Sequence, residues 1–272
     1  MIGELENMGA DWYAQRGFTS EMVRRARAWY LQFLPKPGDL LDVGCGRGEF
    51  LDAASEANHQ VTGVDHDPSM IAAAGHLNIH ENHVLDYLQT TSNLYDAITA
   101  FHVIEHLEIR DASAFIRLAA DRLRPGGRLI IATPNPGSLP TITHEFWRDP
   151  THVRPYDREL IEYLTTTSGL TTESAGVNPE SERGLPVNLD DLSLSSVSKS
   201  LESRDDESLV SRWVAGRLAS SSYAKNLERS LHETTDGLLH TRQELDRIAG
   251  LLRRFLEVAY EPSEIYVVAQ NC

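Results

Sequence analysis

The sequence predicts an α/β protein built on a doubly wound, seven-stranded sheet, and three observations lead there. A short apolar run, Leu40 to Val43, ends in the glycine turn Gly44-Cys45-Gly46-Arg47-Gly48 and passes at once into a helical pattern. Strand, glycine turn and helix together make the crevice in which such sheets bind nucleotide-like ligands. Apolar segments of strand length then alternate with stretches of helical period. Finally, after a long polar and helical stretch, a strand pattern returns at Glu264 to Gln270.

Residues 11–33 carry Trp12, Tyr13, Met22, Val23, Ala26, Trp29, Tyr30 and Phe33 at helical spacing, and Pro35 and Pro37 stop that helix. Leu40, Leu41 and Val43 suit a strand buried on both faces, and the glycines after it permit close approach of the backbone to a ligand. Glu49 to Glu56 makes the next helix, burying Phe50, Leu51, Ala53 and Ala54. Gln60 to Val64 is the second strand, ending in Asp65, and Asn82 to Leu85 the third, ending at Asp86. Tyr95 to Phe101 is the fourth and runs into His102-Val103-Ile104-Glu105-His106-Leu107. Leu123 to Ala132 holds a helix end, a Pro-Gly-Gly turn and the fifth strand; Leu170 to Val177 is the sixth and Glu264 to Gln270 the seventh.

Residues 178–263 read as an insertion before that last strand. Its part over 188–208 is rich in serine and acids, and from about residue 209 it becomes helical. There Leu227, Leu231, Thr234, Leu238, Thr241, Leu245, Ile248, Leu252 and Phe255 form a heptad-like seam. Such a seam suits a homodimer, packing within the insertion, or a cover over the active site. The expected divisions are a helical cap at 1–36, a core at 37–177, the insertion at 178–263 and the final strand at 264–272.

Forty acids against 25 bases give a formal charge of -15, which repels phosphate backbones and argues against a nucleic-acid partner. No apolar run approaches the ~20 residues of a membrane span, and the first residues lack the basic and apolar regions of a signal peptide, so a cytoplasmic location is expected. Two cysteines, Cys45 and Cys272, make no disulfide framework.

The motif set resembles the class I S-adenosylmethionine (SAM) dependent methyltransferases over about residues 34–170: acid-x-Gly-x-Gly-x-Gly from Asp42 to Gly48, Asp65 after the second strand, Asp86 after the third, and Leu123-Arg124-Pro125-Gly126-Gly127 before the fifth. A dinucleotide-binding turn is instead spaced Gly-x-Gly-x-x-Gly. The resemblance implies a Rossmann-like methyltransferase sheet with an antiparallel pairing of strands six and seven, and SAM as cofactor. It implies that Asp42, Gly44, Cys45, Gly46 and Gly48 face the methionine part of SAM and that Asp65 binds ribose. Asp86 would take the adenine amino group with Tyr87 beside the ring, and His66, Met70, Phe101 and His102 would form the edges. The competing reading of Asp65 and Asp86 is helix capping or turn formation.

Methyl transfer from a sulfonium is an in-line displacement, so the enzyme supplies alignment and, for a hydroxyl acceptor, removal of its proton. Candidates lie after strand four, in His102, Glu105 and His106, whose spacing places all three on one helical face, and after strand five, in the loop from His144 to Tyr156. In one reading Glu105, His106 and His152 bind a divalent cation such as magnesium. That pattern is similar to the Glu-x-x-Glu-His plus distant His of terminal-ribose RNA methyltransferases and quinone O-methyltransferases, with His102 where those have Glu. In a second, His144 or His152 is the general base, oriented by Glu145 or Asp149. In a third, Glu105 and His106 only cap a helix and hold the cofactor loop.

The segment Asp96 to His102 lacks the proline motifs of DNA amino- and cytosine-methylating enzymes. The Asp149 to Tyr156 loop, followed by Asp157-Arg158-Glu159-Leu160, resembles bacterial sugar and polysaccharide O-methyltransferases, among them those of methylated-mannose polysaccharides. It implies a sugar or oligosaccharide hydroxyl as acceptor. The alternatives are a quinone or other small-metabolite O-methyltransferase, and a catalytically silent SAM-binding partner subunit.

Overall fold

The structure, a computed structural model, describes residues 19–75, 77–181 and 222–272. Trp12, Tyr13 and the serine-rich stretch 188–208 lie outside the described residues. The chain divides into two compact units, Met1–Gly184 with Ala259–Cys272, and Leu185–Val258.

In the first unit, helix α1 (Ser20–Ala28) is capped by Thr19, whose hydroxyl accepts from the Met22 N–H, and continues as a 3-10 turn over Trp29–Phe33. Strands β1 (Asp39–Val43), β2 (Gln60–Asp65), β3 (Ile79–Glu81), β4 (Tyr95–Phe101), β5 (Leu123–Pro134), β6 (Leu170–Val177) and β7 (Glu264–Asn271) form one sheet in the order β3-β2-β1-β4-β5-β7-β6. Only β7 runs against its neighbours, pairing antiparallel with both β5 and β6. The connecting helices are α2 (Glu49–Glu56), α3 (Pro68–Ala73), α4 (Val84–Thr90), α5 (Ile109–Arg122) and α6 (Arg158–Thr167). This is the Rossmann-like sheet that the sequence leads one to expect.

Successive side chains on a strand point to opposite faces. Leu40 and Leu41, like Ile130 and Ile131, accordingly fall into different apolar cores. One contains Val64, Tyr87, Phe115 and Ile116; the other contains Tyr30, Phe50, Phe101 and Tyr266 and is covered by the 3-10 turn after α1.

The third strand departs from expectation. It covers Ile79–Glu81, and Asn82 to Leu85 is not a strand: the Asn82 N–H makes the last bond to β2, to the Asp65 carbonyl at 2.9 Å, His83 caps a helix, and the helix begins at Val84. Val84, Leu85, Tyr87 and Leu88 recur with helical spacing, and α4 buries the last two. Asp86 therefore sits in the first turn of a helix, where an acid suits the local dipole.

Of the second unit the structure describes the part of helix α7 (Ser222–Ala259) that precedes Ala259. Along its seam Leu238, Leu245, Ile248, Leu252 and Phe255 are 42–67% exposed. The side chains of Leu227 and Leu231 lie outside the described residues. No helix among the described residues is long and apolar enough to cross a membrane.

Candidate active site

The turn after β1 is stitched to β2 by the Gly44 and Cys45 N–H groups, which donate to the Val64 carbonyl at 2.7 and 3.2 Å. Gly44, Gly46 and Gly48 have φ of 66°, 55° and 80°, the left-handed region that side chains resist. That conformation lets the Gly46 N–H reach Asp65 Oδ2 at 2.8 Å, while Asp67 N–H donates to Oδ1 at 2.9 Å. Asp42, 2% exposed, accepts from the Thr99 hydroxyl at 2.6 Å. Burial nonetheless raises its pKa to about 7. Burial also drives the Cys45 thiol far up, so it has no thiolate reactivity at neutral pH.

Asp42, Gly44, Cys45 and Gly46 line a space of about 50 Å³ whose walls include Met70, Phe101, Val23 and Arg27, whereas Gly48 and Asp65 do not line it. Beyond Asp65, the exposed His66 ring is stacked on His83 with centroids 5.4 Å apart. Asn82 and His83 thus stand where β3 ends beside β2, the position that the sequence reading assigned to Asp86 and Tyr87. Asp86 is exposed on α4, and Tyr87 points into the core with its hydroxyl 2.8 Å from that of Tyr95. Neither lines the space beside the turn. The short β-period of Ile79 to Glu81, followed at once by a helical stripe, is the signal that would have separated the two pairs.

The second space is a cavity of about 530 Å³. Val23 and Arg27 of α1 line both spaces, so the two adjoin across that helix. At the end of β4, His102 has φ 57°. A non-glycine residue in that region persists only where its surroundings fix it. Here His102 Nε2 lies 2.6 Å from Glu264 Oε2, and Nδ1 lies 3.2 Å from Glu105 Oε1. Burial and the Arg27 charge push the imidazole pKa down, but the two carboxylates outweigh them and raise it to about 9.

Glu105 is fully buried. Burial opposes its ionisation, yet the neighbouring His102 brings its pKa below the usual range. Its Oε2 accepts from the Thr133 hydroxyl at 2.9 Å, while Oε1 has no hydrogen bond of good geometry. Its backbone carbonyl accepts from Val153 and Arg154 N–H at 2.8 and 3.3 Å, which draws the histidine-bearing loop onto the end of β4. His152 thereby meets His106 edge to face, with centroids 4.7 Å apart. One ligand atom each from Glu105, His106 and His152 lie within 4.8 Å of one another.

His152 Nδ1 is 2.6 Å from the Phe146 carbonyl, so it carries the proton and leaves Nε2 with a lone pair. His106 Nδ1 faces the Thr151 hydroxyl at 2.9 Å, and that hydroxyl donates to Asp149, which leaves His106 Nε2 free in the same way. Burial lowers the His152 pKa and the neighbouring Glu105 only partly offsets this, so the ring is neutral at pH 7. Hydrogen bonds from Thr151 outweigh burial at Asp149 and hold its carboxyl below the usual range.

Three sequence expectations fail here. His144 stands 69% exposed beside Glu145 and does not line the cavity, because it lies on the outer side of the π-helical turn Thr141–Glu145. His102, Glu105 and His106 do not share one helical face, since only Ile104–His106 forms a 3-10 turn and His102 precedes it in a left-handed conformation. Nor do Glu105 and His106 cap a helix: α5 starts at Ile109 with Glu108 as its N-cap. The long-range partner of His102, Glu264, escaped sequence reading altogether, being 162 residues away.

A family model described as a methyltransferase domain matches residues 16–175. The chain belongs to this methyltransferase family. Among curated relatives, the ubiquinone biosynthesis O-methyltransferase of Bradyrhizobium sp. (strain ORS 278) is 32% identical over 161 residues, covering 51% of this chain and 60% of that protein. The one from Xanthomonas campestris pv. campestris (strain B100) is 34% identical over 104 residues, covering 35% and 43%. The match thus spans 60% or less of these relatives' length. Among solved structures, a SAM-dependent methyltransferase from Archaeoglobus fulgidus superposes with a TM-score of 0.66 at 20% identity, covering 95% of this chain and 97% of that one. At that identity the likeness shows a shared fold, that of the methyltransferases.

Proposed function

We propose that this protein is a SAM-dependent O-methyltransferase whose acceptor is a hydroxyl of a small metabolite. The carrying observation is the adjacency of the two spaces across Val23 and Arg27: one at a glycine turn with a buried acid, the other lined by a neutral histidine. Asp42 fits the cofactor, because a buried carboxylate with a pKa near 7 is held ionised by the α-ammonium of SAM. Gly44, Cys45, Gly46 and Gly48 shape the methionine side, and Asp65 the ribose. His66, Asn82 and His83 stand toward the adenine, with Met70, Phe101 and His102 at the edges. Bound there, SAM supplies the electrophilic methyl group. His152 Nε2 takes the acceptor's hydroxyl proton, and Glu105 stabilises the imidazolium that results.

The acceptor cavity joins a polar end, with His106, His152 and Asp149, to an apolar wall of Met22, Val23 and Phe146. That mixed lining suits a hydroxylated ring better than a fully polar sugar, and the relatives' names support the small-metabolite reading over the sugar hydroxyl that the Asp149 to Tyr156 loop suggests. Transfer of tritiated methyl from SAM to catechols, phenols, sugars and oligosaccharides tests it. Labelling of catechols is the expected result, and exclusive labelling of sugars would restore the other reading.

A second reading has its own observation. Glu105 Oε1, whose charged neighbour is His102 Nδ1 at 3.2 Å, lies beside two further imidazoles whose Nδ1 atoms are both committed. These residues fit a divalent cation held by Glu105, His106 and His152, which would lower the acceptor hydroxyl's pKa. Two imidazoles and one carboxylate suit manganese, iron or zinc better than magnesium. Full activity after exhaustive chelation would sink this reading and leave His152 as the base. The exposed seam of α7 suits a homodimer, which light scattering would detect.

A further inference from the structure

Glu264, the first residue of β7, is fully used as an acceptor in the heart of the first unit. Its Oε1 takes hydrogen bonds from the Tyr30 hydroxyl at 2.6 Å and the Asn178 amide at 2.8 Å. Its Oε2 takes them from Arg27 at 2.6 Å and from His102 Nε2 at 2.6 Å. The carboxylate is 4% exposed, and the chain brings it there only because β7 threads between β5 and β6 and starts level with Pro134.

Two of its four donors stand where the cofactor space and the acceptor cavity meet. Arg27 lines both and lies over the Phe101 ring at 4.9 Å, and Phe101 in turn lines the cofactor space. His102, the next residue, lines the acceptor cavity. A methyl group passing from one space to the other must cross this boundary, and in-line transfer is sensitive to displacements of about 1 Å. Resting on the functional reading above, we infer that Glu264 is a positioning residue for methyl transfer: it clamps Arg27 and His102 into the partition between cofactor and acceptor. Tyr30 and Asn178 grip its other oxygen and anchor the clamp to the 3-10 turn after α1 and to the residue after β6.

The test compares Glu264→Gln, His102→Gln, the double variant and Tyr30→Phe, using tritiated SAM and a panel of catechols, with kcat counted per folded molecule. Glu264→Gln keeps the shape of the side chain but loses the charge that holds both cations. The expected result is a kcat fall of about 10- to 100-fold with the Kd for SAM within about threefold of wild type. Because Glu264 and His102 act through one contact, the double variant should be no slower than the slower single variant. Tyr30→Phe, which removes one grip on the other oxygen but leaves the charge that holds both cations, should lower the melting temperature and cost kcat less than Glu264→Gln does. An unchanged kcat in Glu264→Gln, an equal loss in Tyr30→Phe, or additive losses in the double variant would overturn the inference while wild type is active. A wild type that labels none of the acceptors would overturn the functional reading and this inference with it. Should Glu264→Gln not fold, Glu264→Asp decides by the same kcat and Kd criteria, since it keeps the charge but withdraws it from the partition.

Discussion

His106 and His152 meet edge to face at 4.7 Å, and each has its Nδ1 engaged by an oxygen of the loop that carries His152. The loop therefore fixes both tautomers before any ligand arrives, and the two Nε2 lone pairs are what the cavity can use. His152→Ala should lower kcat by 10²- to 10⁴-fold, the range for loss of a general base, with SAM affinity kept. The reactive form is the neutral ring and burial lowers its pKa, so with SAM saturating the kcat/KM for the acceptor should be flat at neutral pH and fall about tenfold per unit in acid. A pH profile of kcat/KM beside calorimetry for SAM checks both, and near-normal turnover in the variant would remove His152 from the mechanism.

Asp42 makes SAM binding sensitive to pH in a different range. In the free protein it is protonated below about pH 7, so a cationic ligand must first expel that proton. The Kd for SAM should rise up to tenfold per unit as pH falls from 7 toward 5, and Asp42→Asn should bind weakly without this dependence. The folded pKa is raised above the unfolded value of 3.8, so this acid favours folding most when protonated and less as pH climbs through 7. Asp42→Asn should therefore raise the melting temperature at pH 8 and do little at pH 4. Isothermal titration and thermal melts at the two pH values measure these effects.

The adenine side yields a contrast between neighbours. Asp86 is exposed on α4, so Asp86→Ala should leave SAM affinity within about twofold. Asn82→Ala and His83→Ala, at the end of β3, should weaken it by about tenfold, the value of one or two lost contacts. Equal effects at all three positions would contradict the placement of β3.

The fold was legible because most of its strands announce themselves locally: glycines need left-handed φ at one turn, β7 is an apolar run with clear ends, and β6, itself largely polar, is set off from the preceding helix by Gly169. Asp86 falls on a helix and not at a strand end because helix and strand periods overlap in a short apolar run, Val84 to Leu88, and the first helical bond, from the Tyr87 N–H to the His83 carbonyl, decides between them. Glu105, His106 and His152 could be named in advance from residue type. That His144 faces outward depends on a π-helical turn, and that His102 is claimed by Glu264 depends on strand order, neither of which residue type encodes.

The seam of α7 gives the last prediction. Ile248 and Phe255 lie one heptad apart, 53% and 61% exposed, in line with Leu238, Leu245 and Leu252. Apolar side chains left in water at this spacing gain by covering one another in a second helix, at roughly 25 cal/mol per Å² of apolar area. Ile248→Glu combined with Phe255→Glu puts a charge where each knob would insert, so a dimer held by this seam should become monomeric. Single surface changes of this kind shift stability by no more than about 0.5 kcal/mol each, so the melting temperature of a monomer should hardly move. Multi-angle light scattering at matched concentrations separates the cases: wild type should have twice the 30.4 kDa chain mass and the double variant the chain mass itself. A wild type that is already monomeric at micromolar concentration would show that the seam does not pair two copies.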